Sequence, residues 1–145
     1  MEHWELVARE QIRDLVARYN SNGDSGRFAQ VLDLFADDAV MEIDGDRAYR
    51  GRAEIETVFT GARDRLRDAS ELAYMRHFTA THQIDVHDDI RAEGRCYYSV
   101  VTAIGLDHWG RYIDDYIHSG DRWLFSQRRV TVDGWAEGSF AGERA

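Results

Sequence analysis

The sequence predicts an α+β fold in which helices cover a strongly curved antiparallel sheet and enclose a cavity. Helical periodicity dominates the chain up to residue 68, whereas from residue 75 onwards consecutive strands are joined by short turns. Helices followed by a run of strands are typical of α+β folds. Because the chain has 145 residues and neither an internal repeat nor a linker, we expect a single domain with a core of about residues 5–135.

Composition limits the classes of function. Hydrophobic residues make up 43% of the chain and charged residues 31%, which is typical of a folded, water-soluble domain. The net charge of −9 argues against nucleic-acid binding, since phosphate recognition needs clustered basic residues, and against an anionic membrane surface. No apolar run is long enough to span a bilayer and the N-terminus lacks a signal-peptide pattern, so we expect a cytoplasmic protein.

Two helices are predicted near the N-terminus. Apolar residues recur every three or four positions from Glu5 to Asn20, which predicts an amphipathic helix with a C-cap at Gly23. Ser25 is a candidate N-cap for a second helix from about Arg27 to Phe35. Asp24 would then lie in the turn between two apolar helix faces.

A hairpin and a third helix are predicted next. Residues 39–43 alternate like a strand, residues 44–46 form a turn, and residues 48–49 return as the second arm. Helical periodicity resumes from Gly51 to about Asp68.

The second half predicts an antiparallel meander of four strands. The segments rich in aromatic and β-branched residues are separated by groups of Gly, Asp, Ser and His. The predicted strands are Met75–Val86, Arg91–Ile104, Trp109–His118 and Arg122–Asp133, the predicted turns are Gly105–His108 and Ser119–Asp121, and Gly134–Ala145 is a tail that we expect to be loose at its end.

The strand from residue 91 to residue 104 presents one of two faces to the cavity. Because side chains alternate along a strand, the inner face holds either one or the other of two sets. The sets are Tyr98, Val100 and Thr102, or Tyr97, Ser99 and Val101.

Metal and thiol chemistry are not indicated. Cys96 is the only cysteine and lies in an apolar run, where a lone thiol is usually inert packing. His77, His82 and His87 follow one another at five-residue steps, which would alternate faces on a strand and hold no metal ion together. Since the chain also lacks a Gly-rich phosphate loop, a nucleophile elbow and a zinc signature, we expect no cofactor and no metal.

Several segments resemble the SnoaL-like branch of the NTF2-like superfamily. They read YNSNGD, LDLFADDAV, YRGRAEIETVF, RHFTATHQI, GRYIDDYI and WLFSQRRV, and the resemblance spans about residues 9–133. It implies a cone in which about three helices close a curved sheet over a cavity. This fold hosts dehydratases, dehydrochlorinases, isomerases, polyketide cyclases and non-catalytic subunits, so the resemblance alone does not select one activity.

The resemblance to scytalone dehydratase-like and bile-acid dehydratase-like members also implies catalytic positions. A Tyr and an Asp at the end of the first helix face a His on the sheet, which here correspond to Tyr19, Asp24 and His77. A later Arg corresponds to Arg128, with Arg129 as the alternative. A carboxylate bonded to an imidazole fixes its tautomer and stabilises the imidazolium, so such a pair could move a proton beside a carbonyl.

Further candidates concern substrate binding. Phe28, Tyr98, Thr102 and Asp114 are the predicted contacts with the substrate. Thr81 stands where many relatives carry Asn, which weakens the transfer of a particular substrate. The middle strand has no second histidine where scytalone dehydratase-like enzymes have one, which argues against their full water-mediated mechanism.

The resulting hypothesis is a cofactor-free lyase or isomerase acting on a small, apolar, polyketide- or steroid-like ring. One alternative is a polyketide cyclase in which Asp24 or Asp114 acts alone, and another is a binding or assembly module without catalysis. The expected partner is a small hydrophobic molecule. An apolar edge at residues 109–117 further predicts a homodimer or homotrimer.

Overall fold

The computed structural model describes residues 1–44, 47–69 and 74–142. Within them, a mixed seven-stranded sheet is covered by helices, with the strand order β2–β1–β6–β5–β4–β3 and with β7 paired to β5. The helices are α1 (His3–Asp24), α2 (Phe28–Leu32) and α3 (Gly51–Ala69), and the strands are β1 (Phe35–Ile43), β2 (Ala48–Arg50), β3 (Arg76–Val86), β4 (Arg91–Thr102), β5 (Gly105–Ser119), β6 (Arg122–Val130) and β7 (Gly134–Trp135).

The α+β architecture is confirmed, but the sheet is mixed rather than antiparallel. β1 pairs in parallel with β6, with Met41 opposite Arg128, while the other pairings are antiparallel. Between β1 and the meander, the chain crosses through α3 to the far edge of the sheet. The meander returns from there to lie beside β1, and its last strand arrives in the direction of β1.

Helix α1 ends later than the sequence predicts. Its Asn22 carbonyl accepts the backbone N–H of Arg27 (2.9 Å) and its Gly23 carbonyl accepts that of Gly26 (3.2 Å). These bonds are the two of a Schellman motif, and Gly26, with φ of 74°, supplies the left-handed residue that the motif requires. The prediction of a C-cap at Gly23 was therefore wrong, and Asp24 is the last residue of the helix.

Helix α2 is shorter than predicted, and Arg27 rather than Ser25 is its N-cap. Strand β1 begins earlier than predicted, because the Leu34 carbonyl accepts the Phe125 N–H (2.9 Å) and Phe35 already pairs with β6. A short apolar run fits both periodicities, and pairing with β6 decides between them. The pairing of β2 with β1 is as expected, but residues 45 and 46 of the predicted turn lie outside the described residues.

The predicted turn at residues 105–108 is instead the start of β5. The register shifts between Val100 and Val101, which pair with His108 and Leu106, so Asp107 is an extra residue in a β-bulge. In the described part of the tail, β7 pairs with β5 and Ala141 is buried, and the looseness expected at the end of the tail stays a prediction. The last three residues of that tail lie outside the described residues.

A second β-bulge, in β3, turns two histidines toward the same face. Ala80 pairs with Tyr97 and Gln83 with Arg95, so one residue of β3 is unpaired in between. Thr81 has φ of 56°, a left-handed conformation that costs a β-branched residue about 1–2 kcal/mol. His77 and His82 therefore share the inner face, contrary to the predicted alternation.

The core lies between α1 and the concave face of the sheet. The apolar stripe that the sequence predicts for α1 is buried there, including Ile12 at 0% and Val16 at 2% exposure. Within the described residues, no helix combines the length and the apolar character that crossing a bilayer requires.

We expect Thr81→Asn to raise the free energy of unfolding by about 1 kcal/mol, because Asn tolerates the left-handed conformation better than a β-branched residue does. Urea denaturation measures the change. Thr79→Asn is the matched control: Thr79 lies in the regular part of β3, so the same substitution should destabilise there. Equal losses for both variants would show that Thr81 carries no strain.

Candidate active site

A cavity of about 210 Å³ lies between the helices and the concave face of the sheet. Most of its wall is aliphatic or aromatic, and a few polar groups converge on it. The apolar lining includes Phe28, Met41, Ile43, Val58, Phe59 and Leu66; the polar lining includes Asn20, Asp24, Arg63, Arg65, His77 and His108. A mostly apolar hollow with few polar groups is typical of a small-molecule site.

Asp24 and His77 meet at the wall of this cavity. His77 Nδ1 lies 2.5 Å from Asp24 Oδ1, and the backbone N–H of His77 donates to Asp24 Oδ2 at 2.9 Å. Both carboxylate oxygens are thus used by one residue that is 53 positions away in the sequence. The side chains are 9% exposed for Asp24 and 19% for His77, so the pair is largely withdrawn from water.

Asp24 occupies a helix position that is unfavourable for an acidic residue. An acidic residue at the C-terminal end of a helix is disfavoured by the helix dipole, and the last turn of α1 contains no basic residue. The two hydrogen bonds from His77 offset this cost. Such a conflict between local preference and structure is expected at functional sites.

The contact fixes the tautomer of the imidazole. A carboxylate only accepts hydrogen bonds, so Nδ1 of His77 carries the proton. Nε2 makes no hydrogen bond within the described residues, and the ring lines the cavity. The arrangement therefore presents the basic nitrogen of His77 to a bound molecule and keeps Asp24 behind it to stabilise the imidazolium.

Tyr19 lines the cavity from α1. Its ring packs edge-on against Phe35, Phe59, Tyr112 and Phe125, with centroids 5.7–6.1 Å apart. Burial raises the pKa of its phenol to about 12, so the hydroxyl stays protonated at neutral pH. A protonated phenol remains a hydrogen-bond donor.

Arg128 lies behind the cavity wall. Its guanidinium donates two hydrogen bonds to Asp114, Nε to Oδ1 at 2.7 Å and Nη2 to Oδ2 at 2.8 Å, and both side chains are 0% exposed. The guanidinium carbon lies 3.9–4.3 Å from the ring centres of Tyr19, Tyr112 and Phe125. Neither Arg128 nor Asp114 lines the cavity, so the structure does not bring these two predicted residues to the substrate.

The alternative arginine does not replace Arg128. Arg129 is half-exposed and its Nε donates to Asp44 at 3.1 Å on the outside of the molecule. The choice between the two arginines, which the sequence leaves open, therefore yields no residue on the cavity wall.

The inner face of β4 carries the first of the two predicted sets of side chains. Tyr98, Val100 and Thr102 are buried, whereas Tyr97 is 58% exposed on the outer face. Tyr98 lines the cavity with its ring, since its hydroxyl donates to the Thr131 carbonyl at 2.6 Å. Phe28 also lines the cavity, but Thr102 does not: its hydroxyl donates to Asp107 at 2.8 Å.

The sequence does not predict four of the polar residues that line the cavity, which are Asn20, Arg63, Arg65 and His108. Asn20 is buried at the inner end of α1, and its carbonyl accepts the Tyr112 hydroxyl at 3.2 Å, which leaves the NH₂ group as a donor. His108 is assigned to a turn by its neighbours Gly105 and Asp107, but the structure puts it on β5 with its ring at the cavity. The position of Asn20 on the buried face of α1 could have indicated that it lines the cavity, whereas no local sequence feature indicates this for His108. In the described ranges, no three His, Cys, Asp or Glu side chains are grouped so as to hold a metal ion.

The chain belongs to the SnoaL-like family. The model of the SnoaL-like domain matches residues 4–129, which is most of the chain. This confirms the family resemblance that the sequence motifs carry. A search of curated proteins finds no matching sequence.

Solved structures show the same NTF2-like, cystatin-like fold. A putative scytalone dehydratase from Novosphingobium aromaticivorans superimposes with a TM-score of 0.82 at 17% identity, covering 94% of this chain and 91% of that one. LinA gives 0.79 at 16% identity, covering 92% and 90%. ActVI-ORFA from Streptomyces coelicolor gives 0.75 at 18% identity, covering 86% and 97%. At these identities the likeness establishes the fold alone.

The buried tyrosines predict alkaline destabilisation. Burial raises the pKa of Tyr19 to about 12, and likewise raises the pKa of Tyr98, Tyr112 and Tyr116. Between pH 10 and 12 the unfolded chain loses phenolic protons that the folded chain keeps, so stability falls as pH rises. The slope from Tyr19 alone is about 1.4 kcal/mol per pH unit.

Urea unfolding between about pH 8 and pH 11 measures this loss, and it is expected to set in above about pH 10. Tyr19→Phe should reduce the slope, whereas Tyr97→Phe, on the outer face, should leave it unchanged. A slope that is identical in the Tyr19→Phe variant would contradict the buried phenol.

Proposed function

We propose that the protein is a cofactor-independent lyase or isomerase of the dehydratase type, with Asp24 and His77 as its acid–base pair. The observation that supports this most is the 2.5 Å contact between His77 Nδ1 and Asp24 Oδ1 at the wall of an apolar cavity. One of the similar folds is described as a putative scytalone dehydratase, which agrees with this class of chemistry.

The proposed reaction begins with proton removal beside a carbonyl. Nε2 of His77 takes the proton from carbon, and the Asp24 carboxylate stabilises the resulting imidazolium through Nδ1–H. The electron pair of the C–H bond moves into the enolate. In a dehydration, a hydroxyl on the neighbouring carbon then leaves and a double bond forms; in an isomerisation, the proton returns to another carbon.

The enolate oxygen needs a hydrogen-bond donor. Tyr19 and the NH₂ group of Asn20 both lie on the cavity wall near the end of α1 that carries Asp24. Donors aimed at a developing oxyanion in a dry site typically contribute a large share of catalysis. We assign this role to Tyr19 and Asn20 in place of Arg128, which supports the wall from behind.

The cavity restricts the substrate class. Its volume of about 210 Å³ lies below the range of about 300–1,000 Å³ that is usual for drug-sized ligands. Its lining is largely apolar, and the Asp24–His77 pair is among its few polar groups. A cyclic ketone or alcohol of one or two rings, of polyketide-like or steroid-fragment character, meets these requirements.

A cyclase that relies on Asp114 alone receives less support. The Asp114 carboxylate is fully buried and occupied by two hydrogen bonds from Arg128 and one from the Tyr116 hydroxyl. A carboxylate with these partners has no path to a molecule in the cavity. A cyclisation driven by Asp24 and His77 would be compatible with the same geometry.

The expectations of a cytoplasmic location and of a homodimer or homotrimer stay predictions. Exposed rings on the outer face of the sheet, among them Phe78, Tyr97 and Trp109, are compatible with an interface between copies.

The acid–base pair is tested by Asp24→Asn and His77→Gln. Each is expected to lower kcat/KM on a cyclic β-hydroxy ketone by about 10²–10⁴-fold, because general acid–base catalysis is typically worth that much. Steady-state kinetics on a panel of hydroxytetralones and related ketones, followed by absorbance of the unsaturated product, measures the loss.

The matched control is His87→Gln. His87 is half-exposed and faces Glu93 at the turn between β3 and β4, so this variant should retain the activity. Turnover that survives both Asp24→Asn and His77→Gln would end the proposal. Ligand binding by the unaltered chain, without any conversion, would favour a binding module instead.

A further inference from the structure

A second carboxylate–imidazole pair faces the same cavity. His108 Nδ1 lies 2.8 Å from Asp107 Oδ1, and the two residues are 8% and 2% exposed. The ring of His108 lines the cavity together with that of His77. The ring of Tyr98 neighbours both histidines, with its centroid 6.2 Å from that of His77 and 6.1 Å from that of His108.

The strand register sets the separation of the two histidines. His77 on β3 is opposite Val100 on β4, which in turn is opposite His108 on β5. Residues opposite one another share a face of the sheet, and adjacent strands are about 4.8 Å apart. The two imidazoles thus start from backbone positions about 10 Å apart on one concave face.

The β-bulge in β5 makes the second pair possible. Neighbouring residues on a regular strand point to opposite faces, so their side chains do not meet. Asp107 is the extra residue of the bulge, and the shift turns its carboxylate to the side of the His108 ring. A bulge that redirects a side chain beside a cavity is a recurrent feature of active sites.

The C-terminal segment holds the pair in place. Asp107 accepts hydrogen bonds from the hydroxyls of Thr102 and Ser139, and the ring of Phe140 packs edge-on against His108 at 5.4 Å. Burial would raise the pKa of Asp107, but the hydrogen bonds from Ser139, His108 and Thr102 together hold that pKa below its ordinary value. The carboxylate is therefore ionised and fixes the proton of His108 on Nδ1.

We propose that His108, positioned by Asp107, is a second acid–base residue, which protonates the leaving hydroxyl while His77 takes the proton from carbon. This inference rests on the proposed lyase activity and specifies its substrate as a cyclic β-hydroxy ketone. Both pairs lie on the same wall of the cavity, so a ring bound against this wall could place its C–H bond near His77 and its hydroxyl near His108.

The proton balance closes without any further reactant. The proposed reaction requires His77 to be neutral and His108 to be the imidazolium. His77 gains the proton of the broken C–H bond, the C–O bond breaks with its electron pair on oxygen, and that oxygen takes the proton of His108 and leaves as water. Exchange with solvent returns both imidazoles to their starting states. Asp24 and Asp107 each stabilise one imidazolium and keep their own charge.

An experiment in deuterated water distinguishes the role of His77 from that of His108. With a tetralone that carries a hydroxyl β to its ketone as the probe, removal of the carbon proton is measured as deuterium uptake and C–O cleavage as formation of the aromatised product. His77→Gln should lose both. His108→Gln should retain deuterium uptake within a few-fold and lose cleavage by about 10²-fold or more.

Ser139→Ala tests the positioning of the pair. It should lower C–O cleavage more than deuterium uptake, because Asp107 then loses one of the hydrogen bonds that hold its carboxylate beside His108. His87→Gln is the control for both measurements. Circular dichroism of each variant verifies that the fold is retained.

Binding supplies a readout that needs no turnover. Addition of the parent tetralone should shift the imidazole nitrogen resonances of His108 and leave those of His87 unchanged. Unchanged His108 resonances on saturation, or equal losses of uptake and cleavage in His108→Gln, would overturn the role of His108. Full uptake and cleavage in His77→Gln would overturn the proposed function instead.

Discussion

The hydrogen bonds from His77 to Asp24 join the helical layer to the sheet, and the geometry of the cavity depends on them. The carboxylate stands at the C-terminal end of α1, where the helix dipole disfavours it, and His77 contributes both its ring and its backbone N–H in return. Each partner thus needs the other: without His77 the acid is misplaced, and without Asp24 the imidazole has no fixed tautomer.

A second polar pair supports this site from behind. Arg128 and Asp114 are fully buried, and the guanidinium is enclosed by the rings of Tyr19, Tyr112 and Phe125. Burying two charges is costly unless their geometry is good, and here the contact is bidentate. The tyrosines that pack on Arg128 also line the cavity, so the pair determines the shape of the wall without touching its contents.

The fold class and the Asp24–His77 pair could be predicted because they follow from local features, which are the periodicity of apolar residues and the spacing of the family motifs. Ile12, Val16 and Tyr19 follow a helical stripe, and the family motifs align Asp24 with His77. What the sequence does not reveal depends on long-range pairing. The bulge at Asp107 arises from the register of β5 against β4, and it turns an apparent turn histidine into a cavity residue. Likewise, Arg128 looks like a substrate contact until Asp114, fourteen positions away, is seen to occupy it.

The most direct test of this account is the protonation state of His77 in the unliganded protein, read from heteronuclear NMR of its imidazole nitrogens. We expect the neutral ring to carry its proton on Nδ1 and to lose this preference in Asp24→Asn, while the resonances of His87 stay as they are. A neutral His77 protonated on Nε2, or nitrogen resonances that do not respond to Asp24→Asn, would contradict the account.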